Sequence, residues 1–203
     1  MVLNPQLHIF ISPKFHDIVK EAIKFFNQTP IHVLPPPDKF IGTGVYALYY
    51  QGNYPIYSKI SEGHQRGYVQ PIYVGKAVPK GWRTARAEKS EATTLYQRLR
   101  EHSASLRRTE NLSAADFRCR FMILNGPESN MITIVEAELI RQYKPLWNTV
   151  VDGFGNHDPG SGRYNQAKSE WDILHPGRIW AERLTGESPV LETVKAKIAS
   201  LLG

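Results

Sequence analysis

A chain of 203 residues with one cysteine, Cys119, can build neither a disulfide framework nor a thiolate zinc site. Long apolar runs are missing too. The longest, such as residues 131–135, fall far short of the roughly 20 residues a membrane-spanning helix needs. Residues 1–15 hold no basic cluster followed by an apolar stretch, so no secretory signal is expected. Internal repeats and low-complexity segments are absent. With 41% hydrophobic residues, the chain can bury one core but is too short for two large ones. The expectation is a single domain over residues 1–203, in the cytoplasm.

Acidic residues are in deficit, 19 against 25 lysines and arginines, for a net charge of +6. Many basic proteins bind no nucleic acid, so the total alone decides little. Its distribution says more. Residues 76–120 hold eleven basic residues and five acidic ones, which places the whole net charge in under a quarter of the chain. A surface for a polyanion is the expectation.

Local patterns give the order of elements. Ser12-Pro13 opens a helix to about residue 27, with Ser12 as N-cap and Ile18, Ala22, Ile23 and Phe26 as its apolar face. Residues 35–37 are three prolines, a linker. Residues 44–50 and 72–74 read as strands, and 51–70, polar and glycine-containing, as a long loop. Residues 94–106 read as a helix, and 117–124 as a strand whose apolar residues alternate with Arg118 and Arg120. A helix over 130–143 stops at Pro145, 153–164 is loop, and Ser188-Pro189 caps a last helix to about 202. The predicted class is α+β, with an antiparallel sheet of about three strands flanked by helices.

Two helices carry polar groups on apolar stripes. At about 100° per residue, Leu95, Leu99, His102 and Leu106 share one stripe, with Arg98 at its edge. A lone histidine there is usually a satisfied core residue. An arginine beside it makes an anion or carboxylate partner more plausible. On the second helix, Glu136 sits among Ile132, Leu139, Ile140 and Tyr143, while Glu138 faces away. A buried carboxylate is costly unless paired, with Arg98 for example, or bound to a metal. Tyr46 and Tyr73 are ordinary strand residues taken singly. Gly75 permits close approach to the backbone, and Lys76 beside it can hold a phosphate or lower a tyrosine pKa.

Taken in order, Gly44-Val45-Tyr46, Tyr73-Val74-Gly75, Arg98 with His102, Glu136, and Asn148 after Lys144-Pro145-Leu146-Trp147 resemble the GIY-YIG nuclease family. The resemblance covers about residues 42–148, with 51–70 as an insertion and residues 1–41 and 149–203 as extensions for DNA binding and dimer contacts. His102 stands where several members carry tyrosine. The longer loop, His102 and residues 169–177 make the chain most similar to the type II restriction enzymes of the family that cut CCGCGG.

That resemblance implies hydrolysis of double-stranded DNA with one Mg²⁺ per site, Mn²⁺ substituting. Glu136 is then the metal ligand and Arg98 the phosphate clamp. Tyr46 is the general base or proton relay, with Lys76, Arg98 and the metal lowering its pKa. Tyr73 and His102 position the water, and Asn148 orients its neighbours. DNA contacts are expected from Arg66, from Lys80, Arg83, Arg107 and Arg108, and from Arg163 and Asn165. Cutting both strands of a palindrome implies a homodimer, and a restriction enzyme implies a cognate DNA methyltransferase.

Overall fold

The computed structural model describes residues 3–64, 67–78, 81–82 and 92–203. At its centre lies strand β2, Gly44–Tyr50, in which every residue is buried. Alternation along a strand sends successive side chains to opposite faces. Val45, Ala47 and Tyr49 enter one core, and Tyr46, Leu48 and Tyr50 enter another. β2 pairs antiparallel with β3, Tyr73–Ala77, and with β4, Phe117–Ile123. A two-residue β1, His32–Val33, extends the sheet on the far side of β4, so the order is β1-β4-β2-β3. The sheet therefore has four strands where the sequence predicts three. β1 is too short to show an alternating pattern, and the prolines that follow hide it further.

Helices cover both faces. On the Val45 face, α1 (Pro13–Gln28) packs against α4 (Ile132–Tyr143), burying Val19, Ile23, Phe26, Ile132, Val135 and Leu139. Ile18, expected on the apolar face of α1, is 49% exposed, and Val19 replaces it. Ser12 flanks the helix but makes no side-chain cap bond. α4 ends where Lys144 turns to a left-handed φ of 44° ahead of Pro145, whose ring cannot continue a helix.

The Tyr46 face is covered by α3 (Thr94–Arg107) and by the C-terminal third of the chain. Leu146 and Trp147 of α5 (Leu146–Thr149), Val151, Phe154, Trp171 and Leu174 of α6 (Glu170–Leu174), and Val194 and Ile198 of α7 (Leu191–Leu202) share one core with Leu95, Leu99 and Leu106. The helix α6 lies where no helical period was legible, because five residues are too few to display one. Ser188 does not cap α7; its hydroxyl accepts from the Lys168 amide instead.

Residues 51–70 are not a plain loop. They form a 3-10 turn, Pro55–Tyr57, and the short helix α2, Ser58–Gly63. The buried Tyr57 hydroxyl accepts from Trp147 Nε1 at 2.9 Å and lies 2.5 Å from His175 Nε2, and His175 Nδ1 meets Asn111 Oδ1 at 2.8 Å. Three aromatic rings and an amide thus anchor the insertion in the core, which polar composition alone cannot reveal. Among the described residues, no helix is long and apolar enough to cross a membrane.

Candidate active site

Tyr46 and Tyr73 meet on one face of neighbouring strands, their ring centroids 6.3 Å apart. Gly75, the partner of Tyr46 on β3, makes this possible: a Cβ there would lie 2.4 Å from the Tyr46 hydroxyl and 3.0 Å from the Tyr73 ring. His102 reaches in from α3, and its Nε2 is 2.5 Å from the Tyr46 hydroxyl. The ring of Tyr73 is 5.3 Å from that of His102. The stripe Leu95, Leu99, His102, Leu106 is buried as the helical period requires.

Electrostatics fix the proton between Tyr46 and His102. Burial, with Arg98, His157 and Arg178 nearby, holds His102 well below the usual histidine pKa. Burial pushes the Tyr46 phenol well above its ordinary value, and Tyr73 adds to this, while Arg98 pulls the other way. Tyr73 is raised as well, chiefly by burial. Tyr46 and His102 are therefore both neutral, and with the imidazole proton on Nδ1 the phenol donates to Nε2. The sequence reading expected positive neighbours to lower the Tyr46 pKa; in a site this dry, desolvation outweighs Arg98.

Arg98 lies at the mouth of this pair. Its Nη2 donates to the Gly155 carbonyl at 3.3 Å and its Nη1 to Glu101 at 3.1 Å, and it also touches His157. These groups line a cleft of about 250 Å³ together with Arg108, Phe154 and Trp180. Phe154 stacks on His102 at 4.6 Å and meets Tyr73 edge-on at 4.9 Å. Phe154, Gly155 and His157 were not singled out from sequence. The one available signal was a lone phenylalanine in an otherwise polar, glycine-rich segment.

Glu136 stands on α4, which packs against β3, and both phenols feel its charge. Its partner is Lys76, at 2.5 Å, and not Arg98 as the sequence allowed. Arg98 hangs from α3, on the opposite face of the sheet from α4. Glu136 is 17% exposed and Lys76 34%, so the carboxylate is open enough to exchange its partner. Among the described residues, no group of three or more His, Cys, Asp or Glu side chains gathers to hold a metal. A single carboxylate still fits Mg²⁺, which keeps several waters and takes one or two protein oxygens. Glu138 pairs instead with Arg141 on the outer surface.

Asn148 clasps the free edge of β3. Its Oδ1 accepts from the Val74 amide at 2.8 Å and its Nδ2 donates to the Val74 carbonyl at 2.9 Å. The amide replaces a missing strand and fixes Tyr73 and Gly75 on either side.

The expected DNA contacts divide. Arg108 lines the Arg98 cleft, and Arg107, bonded to Ser103, lies on the adjoining surface of α3 with Arg100. Arg163, after the left-handed Gly160, borders a second polar cleft with Asn156, His157 and Trp180. Asn165 is exposed nearby. Arg66, Lys80 and Arg83 lie outside the described residues. Of the basic face of β4, Arg118 is spent on the Ala115 and Phe117 carbonyls, and Arg120 covers the Tyr49 ring.

Among curated proteins, none matches the chain. A family model does, over residues 38–202, and its description is Eco29kI GIY-YIG domain. That span takes in the β2–β3 tyrosines, α3, α4 and the whole C-terminal third, so the chain belongs to the GIY-YIG nucleases of the Eco29kI restriction type.

Proposed function

We propose that the protein is a type II restriction endonuclease that hydrolyses phosphodiester bonds in double-stranded DNA at a G·C-rich palindrome, CCGCGG, in the bacterial cytoplasm, as partner to a cognate methyltransferase. The observation that carries the chemistry is the buried Tyr46–His102 hydrogen bond at 2.5 Å beside Arg98, with the Glu136 charge felt at the Tyr46 phenol. The target sequence rests on the family and on residues 169–177.

In this reading the scissile phosphate lies at the Arg98 cleft, where the guanidinium offsets the charge that grows on the phosphoryl oxygens. The attacking water gives its proton to the Tyr46 oxygen as the phenol passes its own to His102 Nε2. A relay of this kind needs no free phenolate, and so it tolerates the raised pKa of Tyr46. Tyr73 holds the water from the other side. Glu136 would hold Mg²⁺, or Mn²⁺ in its place, and the ion would supply charge stabilisation at the leaving oxygen. Lys76, freed from Glu136, turns to a phosphate oxygen. Asn148 keeps β3 in place.

Two strands need two such sites, hence a homodimer. Support comes from the first 41 residues. Leu7, Phe10, Ile11, Phe15, Ile18 and Phe25 are all exposed, and a groove of about 560 Å³ between α1 and α4 is lined by Phe15, Val19, Ile23, Ile134 and Ala137. Apolar surface of this extent marks an interaction face.

Complete digestion of supercoiled plasmid, with and without Mg²⁺, tests the proposal. Discrete fragments that require the ion are expected. A smear would replace the restriction reading with a nonspecific nuclease, and intact DNA would leave only binding.

A further inference from the structure

Residues 169–177 carry the restriction-type resemblance, yet the chemistry above uses none of them. Their arrangement shows a task. The Ser169 hydroxyl accepts from the Asp172 amide at 3.2 Å and donates to Asp172 Oδ2 at 2.6 Å, which caps α6 and turns the carboxylate inward. Asp172 Oδ1 accepts from Arg178 Nε at 2.6 Å, with both side chains at 2% exposure or less. The Arg178 guanidinium lies against Trp171 and Trp180, 4.4 and 4.7 Å from their ring centroids. Its remaining N–H groups converge on one loop. Nη2 donates to the Gly153 carbonyl at 2.9 Å, and Nη1 to those of Phe154 at 3.1 Å and Asn156 at 3.3 Å.

That loop faces the site. Phe154 stacks on His102, the Gly155 carbonyl accepts from Arg98, and Gly155 is so close to Tyr73 that a Cβ would lie 2.8 Å from its hydroxyl. We propose that Arg178, oriented by Asp172, is a positioning residue for cleavage: it clamps residues 153–156 so that Phe154 and Gly155 set the places of His102, Tyr73 and Arg98. The proposal rests on the nuclease reading of those three. A buried ion pair is a weak source of stability, since a well-packed apolar pair often serves as well. Three directed bonds to the carbonyls of one loop are what an apolar pair cannot supply, and a planar five-donor fork can.

The test uses the full chain with Asp172→Asn and Arg178→Met combined, which leaves no unpaired charge in the core, and separately Arg178→Lys, which keeps the charge but not the fork. Three quantities are measured: single-turnover cleavage of supercoiled plasmid in Mg²⁺, binding to a duplex in Ca²⁺, and amide hydrogen exchange over residues 153–157. Both variants are expected to bind DNA as the wild type does, to exchange faster in the loop, and to cleave about a hundredfold more slowly, the cost of displacing a catalytic group by about 1 Å. Arg178→Lys should fail to restore the rate. Wild-type cleavage, or wild-type loop protection, in the double variant overturns the proposal. If the double variant does not fold, Arg178→Lys decides alone on the same two readings. A wild-type protein that cuts no DNA defeats the nuclease reading, and loop exchange in Arg178→Lys then still judges the clamp.

Discussion

Tyr46 is buried, and burial makes its phenolate expensive, so an acceptor has to stand beside it. In the proposed relay His102 is that acceptor, and its own burial keeps it neutral. Tyr46→Phe should leave duplex binding intact and slow cleavage by at least about a hundredfold, the scale of acid–base roles. Equal rates would return Tyr46 to the core. The pH dependence follows with its sign. The relay needs His102 unprotonated, and burial, with Arg98, His157 and Arg178 nearby, holds its pKa below the ordinary 6.5 while Tyr46 and Tyr73 face it uncharged. Cleavage should therefore persist as pH falls through 6.5 and fail only at lower values. An acid limb centred at 7 or above in kcat would contradict the relay. His175 gives a parallel result for stability. Burial, helped by Arg178, depresses it to about 3. The unfolded chain takes up this proton first, so the contribution is complete above about 6.5 and is lost as pH falls from there toward 3. His175→Gln, which keeps a polar group toward Tyr57 and Asn111, should flatten the pH dependence of the urea midpoint over that window. An unchanged slope would reject this assignment.

At the scale of elements, what was readable in the sequence had a period. The stripe Leu95, Leu99, His102, Leu106 predicted the buried face of α3, and the seven residues of β2 announced a strand. His102 and Glu136 could be picked out as polar groups on apolar helix stripes, and the tyrosines only through the ordered set of motifs that resembles the family. Contacts between distant segments had no such signature. Lys76 with Glu136, Arg178 with three carbonyls and Tyr57 with His175 join residues 60, 22 to 25 and 118 positions apart. The insertion illustrates the consequence. Its polar composition suggested a long loop, yet Tyr57 is fully buried between Trp147 and His175. Tyr57→Ala should cost about 3–5 kcal/mol in unfolding free energy, as for other buried aromatics. A cost under about 1 kcal/mol would mean the insertion is not anchored there. The exposed face of α3 is a separate matter. Replacing Arg107 and Arg108 together should make DNA binding less dependent on salt, since each phosphate contact contributes about 0.9 to the slope on B-DNA. An unaltered slope would move the DNA path off α3.

At the scale of the molecule, one sheet separates two groups of functional side chains. Tyr46, Tyr73, His102 and Arg98 come from one face, Lys76 and Glu136 from the other, and both groups flank β3, the edge strand that Asn148 closes. In the proposed reading, a phosphate at this edge strand approaches both groups at once, which a central strand would block. The C-terminal third completes the first group through Phe154 and Gly155, in keeping with a family match that runs to residue 202. If the active unit is a dimer, sedimentation on a short palindromic duplex should give two chains per duplex, with plasmid linearised without a build-up of nicked circles. One chain per duplex and abundant nicked intermediate would make it a monomer. The central claim, that Glu136 completes a nuclease site with the two tyrosines, His102 and Arg98, is tested most directly by incubating supercoiled plasmid in Mg²⁺ with the wild type, Glu136→Gln and, as control, Glu138→Gln. The account predicts discrete fragments from the wild type and from Glu138→Gln, and uncut but bound plasmid from Glu136→Gln; cleavage by Glu136→Gln at the wild-type rate would contradict it.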